Sequence, residues 1–422
     1  MSWPLYVASP ADKRCMHSLV IRDGRNPAKQ PKIALVVDRF DGRGGAEIYT
    51  RDLATWLVDR GCEVHVVARS IGSREQTLPL VFHEIDPHAS REAFAAACTA
   101  RLATIGPDVS HDMGAALECD VFQPHVGSSL ACQRAADMSH AAWYRPLRRM
   151  LRTCSRRRDL ARFTARQFTG FRSLVVAVSR RVATDITTLH GVPAARIRVV
   201  HNGVDTGRFD ALRHRKAGSA LRQQLGFDAD DVVVIAAAHN PRLKGLHVLE
   251  RVIRRLRRDV LPVRLLTCGG SRRRRSDAAV VHVGRVADMA PLYAAADIAV
   301  QPSFYDACSL VTLESLASGL PVITTQLNGA SELITPGIDG FVLDEPRDVD
   351  ALAECLAGLV ADRWRRFVVG RAARRLALAR GSDASFTAIA AVYAEVLADR
   401  GRVLEGRNTA RLASWSRPRI AA

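Results

Sequence analysis

The chain has 422 residues, 48% of them hydrophobic and 25% charged, with 61 lysines and arginines against 43 aspartates and glutamates. That length holds two domains of ordinary size, and the composition excludes a disordered or collagen-like polymer. The formal net charge of +18 predicts attraction to polyanions such as nucleic acid, anionic lipid or a phosphorylated acceptor, although arginine-rich drift in a GC-rich genome accounts for part of the excess.

Residues 1–30 carry charges and prolines without the apolar centre of a signal peptide and read as a disordered leader. From Lys32 the pattern alternates strand and helix. Ile33–Val37 is the continuous apolar run of a buried parallel strand, followed by a helix over Ile48–Val58 that Gly61 stops. Glu63–Ala68 is the next strand, then a helix over Ala93–Ile105 and a strand over Asp108–Met113. Leu174–Val178 leads into Ser179 as N-cap of a helix to Leu189, and Ile197–Val200 closes this half. Turn residues at Asn202-Gly-Val-Asp205 then break the pattern.

Beyond the break the alternation restarts with strands at Val232–Ala236, Val263–Leu266, Val280–Val283 and Ile298–Val300. Helices are predicted over Leu246–Arg257 and Met289–Ala296, and a last one over Phe386–Leu397. The reading is an α/β chain with two Rossmann-like domains, residues 31–203 and 204–380, a helix over 381–400 and a loose basic tail over 401–422. Ligands of open parallel sheets bind outside the carboxyl ends of the strands.

One stretch, residues 126–172, does not alternate. It is arginine-rich, opposed only by Asp137 and Asp159, and interleaves Trp143, Tyr144, Phe163, Phe168 and Phe171 at roughly helical spacing. Such a pattern suits a basic amphipathic surface on an anionic membrane, a helical excursion packed on its own domain, or a nucleic-acid groove, for which no recognised module is present. No apolar run reaches the length of a membrane-crossing helix. Nine scattered cysteines without a C-x-x-C pair point to buried thiols in a reducing cytoplasm and away from zinc.

Four segments carry chemistry. The first is Asp41-Gly-Arg-Gly-Gly-Ala-Glu47, whose Gly44 and Gly45 let backbone amides approach a diphosphate or sugar closely. His239-Asn-Pro-Arg-Leu-Lys-Gly245 supplies Arg242 and Lys244 as fixed cations, and Gly284-Arg285-Val286 forms a third loop after a strand. In Ser303–Gly319, Asp306 and Glu314 stand eight positions apart across a strand-to-helix junction with Ser309 as N-cap and Leu310 as the first helical residue. Helix N-termini favour diphosphate, and carboxylates suit ribose and sugar hydroxyls. His111, Asp120 and His125 at strand ends of the first half are candidates for orienting a sugar or an acceptor hydroxyl.

The Asp306–Glu314 spacing resembles the E-x7-E motif of the family 4 retaining glycosyltransferases, with aspartate in place of the first glutamate. Gly319-Leu-Pro-Val-Ile-Thr-Thr325 and Asn328-Gly-Ala-Ser-Glu-Leu-Ile334 follow the same family pattern, and Glu118–His125 is similar to the acceptor-side region of lipopolysaccharide core glucosyltransferases. The resemblance covers about Pro31 to Asp399. It implies a GT-B fold: two facing Rossmann-like domains with a cleft between them and a C-terminal helix crossing back to the first.

It further implies retaining transfer of a hexosyl group from a nucleotide sugar, a UDP-sugar being expected, to a saccharide or lipid-linked saccharide acceptor. Lys244 resembles the lysine that neutralises the leaving diphosphate, and the Gly284 loop matches the one that contacts the base. A cytoplasmic enzyme of cell-envelope glycan synthesis, peripheral on the inner membrane face, is expected. No metal is expected and no nucleic acid partner. The alternatives are a GT-B nucleotide-sugar epimerase and a non-catalytic basic protein of the membrane surface.

Overall fold

The computed structural model describes residues 19–23, 26–42, 44–73, 75–86, 88–140, 155–169, 173–270 and 277–406. Contacts divide the chain into two compact units, one of residues 1–130, 152–201 and 383–422, the other of residues 131–151 and 202–382. Twelve helices are present among the described residues, and each unit is built on one parallel sheet.

In the first unit the apolar runs form β3 (Lys32–Phe40), β4 (Glu63–Ile71), β5 (Val81–Glu84), β6 (Val109–Asp112), β7 (Val121–Phe122), β8 (Leu174–Ala177) and β9 (Ile197–Val199). They lie in the order β5-β4-β3-β6-β7-β8-β9. The sequence order reverses at β3 and β6, so the loops after these two strands diverge and leave a crevice at their carboxyl ends. Helices α1 (Gly45–Val58), α2 (Arg91–Ile105) and α5 (Arg180–His190) supply the crossovers. Ser179 caps α5 as expected, accepting from Val182 N at 3.1 Å. The last helix, α12 (Ser382–Asp399), groups almost entirely with this unit, and its Phe386, Ile389, Val392, Tyr393 and Leu397 complete the core made by β3, β4 and α1.

The expectation of a disordered leader fails for residues 19–29. They form β1 (Leu19–Asp23) and β2 (Asn26–Lys29), and β1 pairs antiparallel with β16 (Val403–Gly406) from the stretch expected to be loose tail. Leu19 and Ile21 are buried in the same core as Trp56 and Tyr393. Asp108 fixes the junction: its buried carboxylate accepts from Lys32 N at 2.9 Å, Lys29 Nζ at 3.4 Å and Arg402 Nη1 at 2.6 Å. Buried carboxylates need such partners, and these come from opposite ends of the chain, 76 residues before Asp108 and 294 after it, beyond the reach of any local pattern.

The excursion is helical where it is described, as α3 (Ser129–Met138) and α4 (Ser155–Thr169). Phe163 and Phe168 are buried. Phe168 stacks on His190 at 4.2 Å, and Gln167 donates to Ala116 O at 2.9 Å. Arg162 and Arg166 face water. The packed reading therefore holds for α4, whose aromatic side chains are spent on their own unit. Trp143 and Tyr144 lie outside the described residues, as does Phe171. Residues 131–140 group with the second unit instead of the first, where Arg347 donates to the carbonyls of Met138 and His140 and so closes the end of α3.

The second unit's sheet runs β12-β11-β10-β13-β14-β15, from β10 (Val232–Ala237), β11 (Val263–Cys268), β12 (Val280–His282), β13 (Ile298–Gln301), β14 (Val322–Thr325) and β15 (Phe341–Leu343). Its reversal falls between β10 and β13. The helices are α6 (Arg215–Gln224), α7 (Leu246–Arg258), α8 (Ala290–Ala295), α9 (Leu310–Ala317), α10 (Val349–Ala361) and α11 (Arg363–Ala379).

Candidate active site

Lys244 and Asp306 occupy the loops after β10 and β13, the two strands that flank the reversal of the second sheet. The Lys244 ammonium is ion-paired with the Asp306 carboxylate. Both side chains retain some exposure, 22% and 14%, so an incoming ligand can reach the pair. The neighbouring backbone is stitched together: Phe304 N donates to Leu243 O and Gln301 Nε2 to Ala237 O, each at 2.8 Å. Gly245, next to the lysine, has φ +71° and lies so close to Pro302 that a Cβ would stand 2.0 Å from its carbonyl oxygen. Only glycine fits there, which fixes the lysine in register with the β13 loop.

Ser309 caps α9 as expected, its hydroxyl accepting from Thr312 N at 3.3 Å. The N-terminus of α9 is held by Asn328, a residue with no exposed surface. Asn328 Oδ1 accepts from Ser309 N at 3.2 Å and Ala330 N at 3.1 Å, while Nδ2 donates to the hydroxyls of Thr312 and Thr324 at 2.9 Å each. Asn202 adds a bond from Nδ2 to Cys308 O at 3.0 Å. Leu310, as the first residue of α9, has an N–H with no intrahelical acceptor.

Glu314 lies one turn further along α9 and accepts from the Tyr293 hydroxyl at 2.6 Å. Burial pushes its carboxyl up to about 7, against the pull of the Tyr293 bond and the nearby Arg208 guanidinium. Arg208 is itself paired with Asp288 at 3.2 Å. The site thus joins two carboxylates in different states: Asp306 neutralised by a lysine, Glu314 desolvated and held by a phenol.

The other candidates divide. Arg242 is exposed at the β10 loop beside Lys244, and Arg285 is exposed with half-buried Val286 in the loop after β12. That loop is tied back by Gly269 N donating to Gly284 O at 2.7 Å. In the first unit, Gly44 is the N-cap of α1 without a side-chain bond, and Gly45 begins the helix at the carboxyl end of β3. His125 follows β7, edge-on to Tyr49 at 4.5 Å, and burial lowers its imidazole to about 4.

Two candidates belong to the framework instead. His111 lies inside β6 with no exposed surface and is bonded through Nδ1 to the Tyr393 hydroxyl of α12 at 2.7 Å. Burial, aided by His125, drives it down to about 3, so it is neutral at physiological pH. Asp120 precedes β7 and thus stands at the amino end of that strand, away from the ligand end. It accepts from Ser110 N and Oγ at 2.8 Å and pairs with Arg400. Asp112, the residue after His111, is spent capping the turn Gly114–Ala116 by accepting three N–H bonds of 2.7–2.9 Å.

Sequence reading missed Tyr293 and Arg208 as partners of Glu314. Tyr293 sits in a short apolar helix, where a tyrosine reads as core; its one signal is a phenol that must find an acceptor once buried.

Two family models match the chain: "Glycosyltransferase Family 4" over residues 43–208 and "Glycosyl transferases group 1" over residues 230–362. A D-inositol 3-phosphate glycosyltransferase of Xylanimonas cellulosilytica is 26% identical over 396 residues, 83% of this chain and 92% of that protein. A GDP-mannose-dependent alpha-(1-6)-phosphatidylinositol monomannoside mannosyltransferase of Mycolicibacterium smegmatis is 32% identical over 52% of this chain and 61% of its own. Among solved structures, WaaG, a glycosyltransferase involved in lipopolysaccharide biosynthesis, matches with TM-score 0.70 at 19% identity, over 86% of this chain and 99% of that one. Anabaena Alr3699/HepE in complex with UDP-glucose matches with TM-score 0.66 at 20% identity, over 87% and 99%. With both halves matched by the family models and the fold matched over nearly the whole of solved GT-B enzymes, the chain belongs to the family 4 glycosyltransferases.

Proposed function

We propose that the chain transfers a hexosyl group, with retention, from a nucleotide sugar of the UDP type to a hydroxyl of a saccharide acceptor in cell-envelope glycan synthesis. The observation that carries the reading is the Lys244–Asp306 pair at the reversal point of the second sheet, beside the capped N-terminus of α9 and Glu314. In this reading the diphosphate takes Lys244 from Asp306 and rests on the free N–H groups of α9, with Arg242 beside it. Asp306, released, accepts from hydroxyls of the transferred sugar, and Glu314 accepts from the ribose. The Gly284–Val286 loop touches the base through its backbone, and Gly44–Gly45 with His125 serve the acceptor side.

Neither carboxylate is placed as a covalent nucleophile. Retention then follows from reaction on one face of the sugar, the departing diphosphate taking the acceptor's proton. Proximity and fixed charge carry the rate. The leaving charge is met by Lys244 and Arg242, so the reading requires no metal.

A thermal-shift screen with UDP-, GDP- and ADP-sugars tests the donor assignment, because a ligand bound only to the folded state at a hundred times its Kd stabilises by about 2.7 kcal/mol. A shift with UDP-sugars alone is expected; a shift with none of them removes the proposal. A second acceptor reading, a phosphorylated polyol, is supported by the D-inositol 3-phosphate glycosyltransferase that matches over 92% of its length. Labelled transfer to inositol phosphate against transfer to oligosaccharide separates the two.

Glu314 gives a pH prediction. Its folded-state carboxyl is raised to about 7, so the ionised form costs stability: the contribution is full at acid pH and is lost as pH rises through 7. Donor binding runs the other way, since ribose hydroxyls need the carboxylate. Glu314→Gln is expected to raise the melting temperature at pH 8, by about 1–3 kcal/mol of stability, and to raise the donor KM roughly tenfold. Wild-type KM for donor is expected to rise as pH falls below 7. A variant with unchanged KM would remove Glu314 from the donor site.

A further inference from the structure

Helix α11 has two faces with different fates. Its inner face is fully used: Val369, Ala373 and Ala377 are buried, and Gly370 lies so close to Gly319 that a Cβ would meet its carbonyl oxygen at 2.2 Å. Arg374 reaches inward to the carbonyls of Phe209, at 3.1 Å, and Ala317. Ala317 is the last residue of α9, so α11 backs the helix that carries Glu314.

Its outer face is apolar, aromatic and basic. Trp364 is 70% exposed, Phe367 50%, Val368 47% and Leu378 50%, and apolar side chains gathered on one exposed face mark an interaction surface more often than scattered ones do. With Arg371 and Arg375 these residues recur at i, i+3, i+4, i+7, i+11 and i+14, a single stripe. The Trp364 and Phe367 rings touch, with centroids 5.3 Å apart, and the Arg371 guanidinium stands 5.7 Å from the Phe367 ring. No acidic residue occurs anywhere in α11, against six arginines, of which Arg363, Arg365, Arg371 and Arg375 are exposed.

We propose that the outer face of α11 docks on an anionic lipid bilayer, with Trp364 and Phe367 entering the headgroup–acyl boundary and the exposed arginines pairing with lipid phosphates. Tryptophan and phenylalanine on an arginine-rich helix favour that interface, and each basic residue near an anionic surface adds attraction. A second copy of the chain fits poorly: a two-fold contact sets the same patch on both sides, so like charges would face one another without a carboxylate on α11 to relieve them. This surface replaces the aromatic face of α4, which is buried, as the membrane-facing element. It stands independently of the donor chemistry.

The test is co-sedimentation of the full chain with vesicles of phosphatidylcholine alone and of phosphatidylcholine with phosphatidylglycerol. Binding is expected only with the anionic vesicles, with release at high salt. The double variants Trp364→Ser/Phe367→Ser and Arg371→Glu/Arg375→Glu are each expected to weaken it roughly tenfold or more. Both alter exposed side chains, so unchanged melting curves confirm that they fold, and nucleotide binding is expected to stay as in wild type. Equal binding to neutral vesicles, or retention by both variants, overturns the proposal. So does a dimer in light scattering that Trp364→Ser/Phe367→Ser converts to monomer, which would assign the face to a second copy. Loss of vesicle binding with intact nucleotide binding separates this surface from the donor site.

Discussion

Lys244→Ala is expected to lower kcat by roughly 10²–10³-fold, the cost of removing one fixed charge from the point where leaving-group charge develops. The side chain's only ion pair among the described residues is with Asp306, and neither group is fully buried. Folding stability therefore changes by about 1 kcal/mol or less, as for other partly exposed pairs. The loss arises in the transition state, where a diphosphate oxygen takes on charge, so kcat falls more than the donor KM rises. Lys244→Ala also frees Asp306 to repel the diphosphate, which makes Lys244→Ala/Asp306→Asn the informative partner variant. If the lysine acts on the diphosphate, the double variant recovers part of the donor affinity and little of kcat. Steady-state kinetics with far-UV circular dichroism as a folding check decide the matter. An active Lys244→Ala enzyme would show that the cation is not the one that meets the leaving group.

Asn328→Ala is expected to have the largest effect on stability, about 3–5 kcal/mol, because it strands the N–H groups of Ser309 and Ala330 and takes the donor from the Thr312 hydroxyl in a site without solvent, while Thr324 keeps its bond to Gln301 O. Each buried unsatisfied group costs about 1–3 kcal/mol, with partial relaxation expected among them. In a unit of this size that is a fall of roughly ten degrees in the melting transition that contains the residue. The same change loosens the N-terminus of α9, since Ser309 N and Thr312 Oγ1 both depend on Asn328. Asn328→Asp keeps the acceptor and loses the donor, and it buries a charge, so it is expected to be no better than alanine. Urea or thermal unfolding reads the loss; a change below about 1 kcal/mol would mean that the clamp is not what holds the helix.

Nine of the thirteen strands in the two parallel sheets were legible, because central parallel strands are buried on both faces and read as continuous apolar runs, whereas β5, β7, β14 and β15 were not predicted. Ile33–Val37, Val232–Ala236 and Ile298–Val300 fall inside β3, β10 and β13. β5 was not legible, since Val81 is exposed and the strand lies at the sheet edge with a half-buried pattern. β1 and β16 depend on pairing between the two ends of the chain, which no window of sequence contains. Helix α11 escaped because six arginines and two aromatic residues blur its apolar stripe, the feature that makes its outer face informative.

Within the proposed site, the positions of Asp306, Ser309 and Glu314 were readable from spacing and that of Lys244 from the family resemblance, because each stands at the carboxyl end of a strand or in the first turns of the helix that follows. Asp120 was misplaced for a related reason. β7 has two residues, too few for a pattern to tell its amino end from its carboxyl end. His111 looked like a strand-end group and is a core residue, since its partner Tyr393 comes from the far end of the chain. Tyr293 and Asn328 act by holding other side chains, and nothing in their local sequence announces the partner.

In the proposed mechanism the donor lies at the reversal point of the second sheet, between Lys244 and Glu314. A crystal structure with the nucleoside diphosphate that stabilises the protein tests it most directly. The expected result has the diphosphate bonded to Lys244 and to the N–H groups at the start of α9, with the ribose hydroxyls on Glu314. A nucleotide bound elsewhere, with Lys244 still paired to Asp306 and Glu314 still held only by Tyr293, would contradict it.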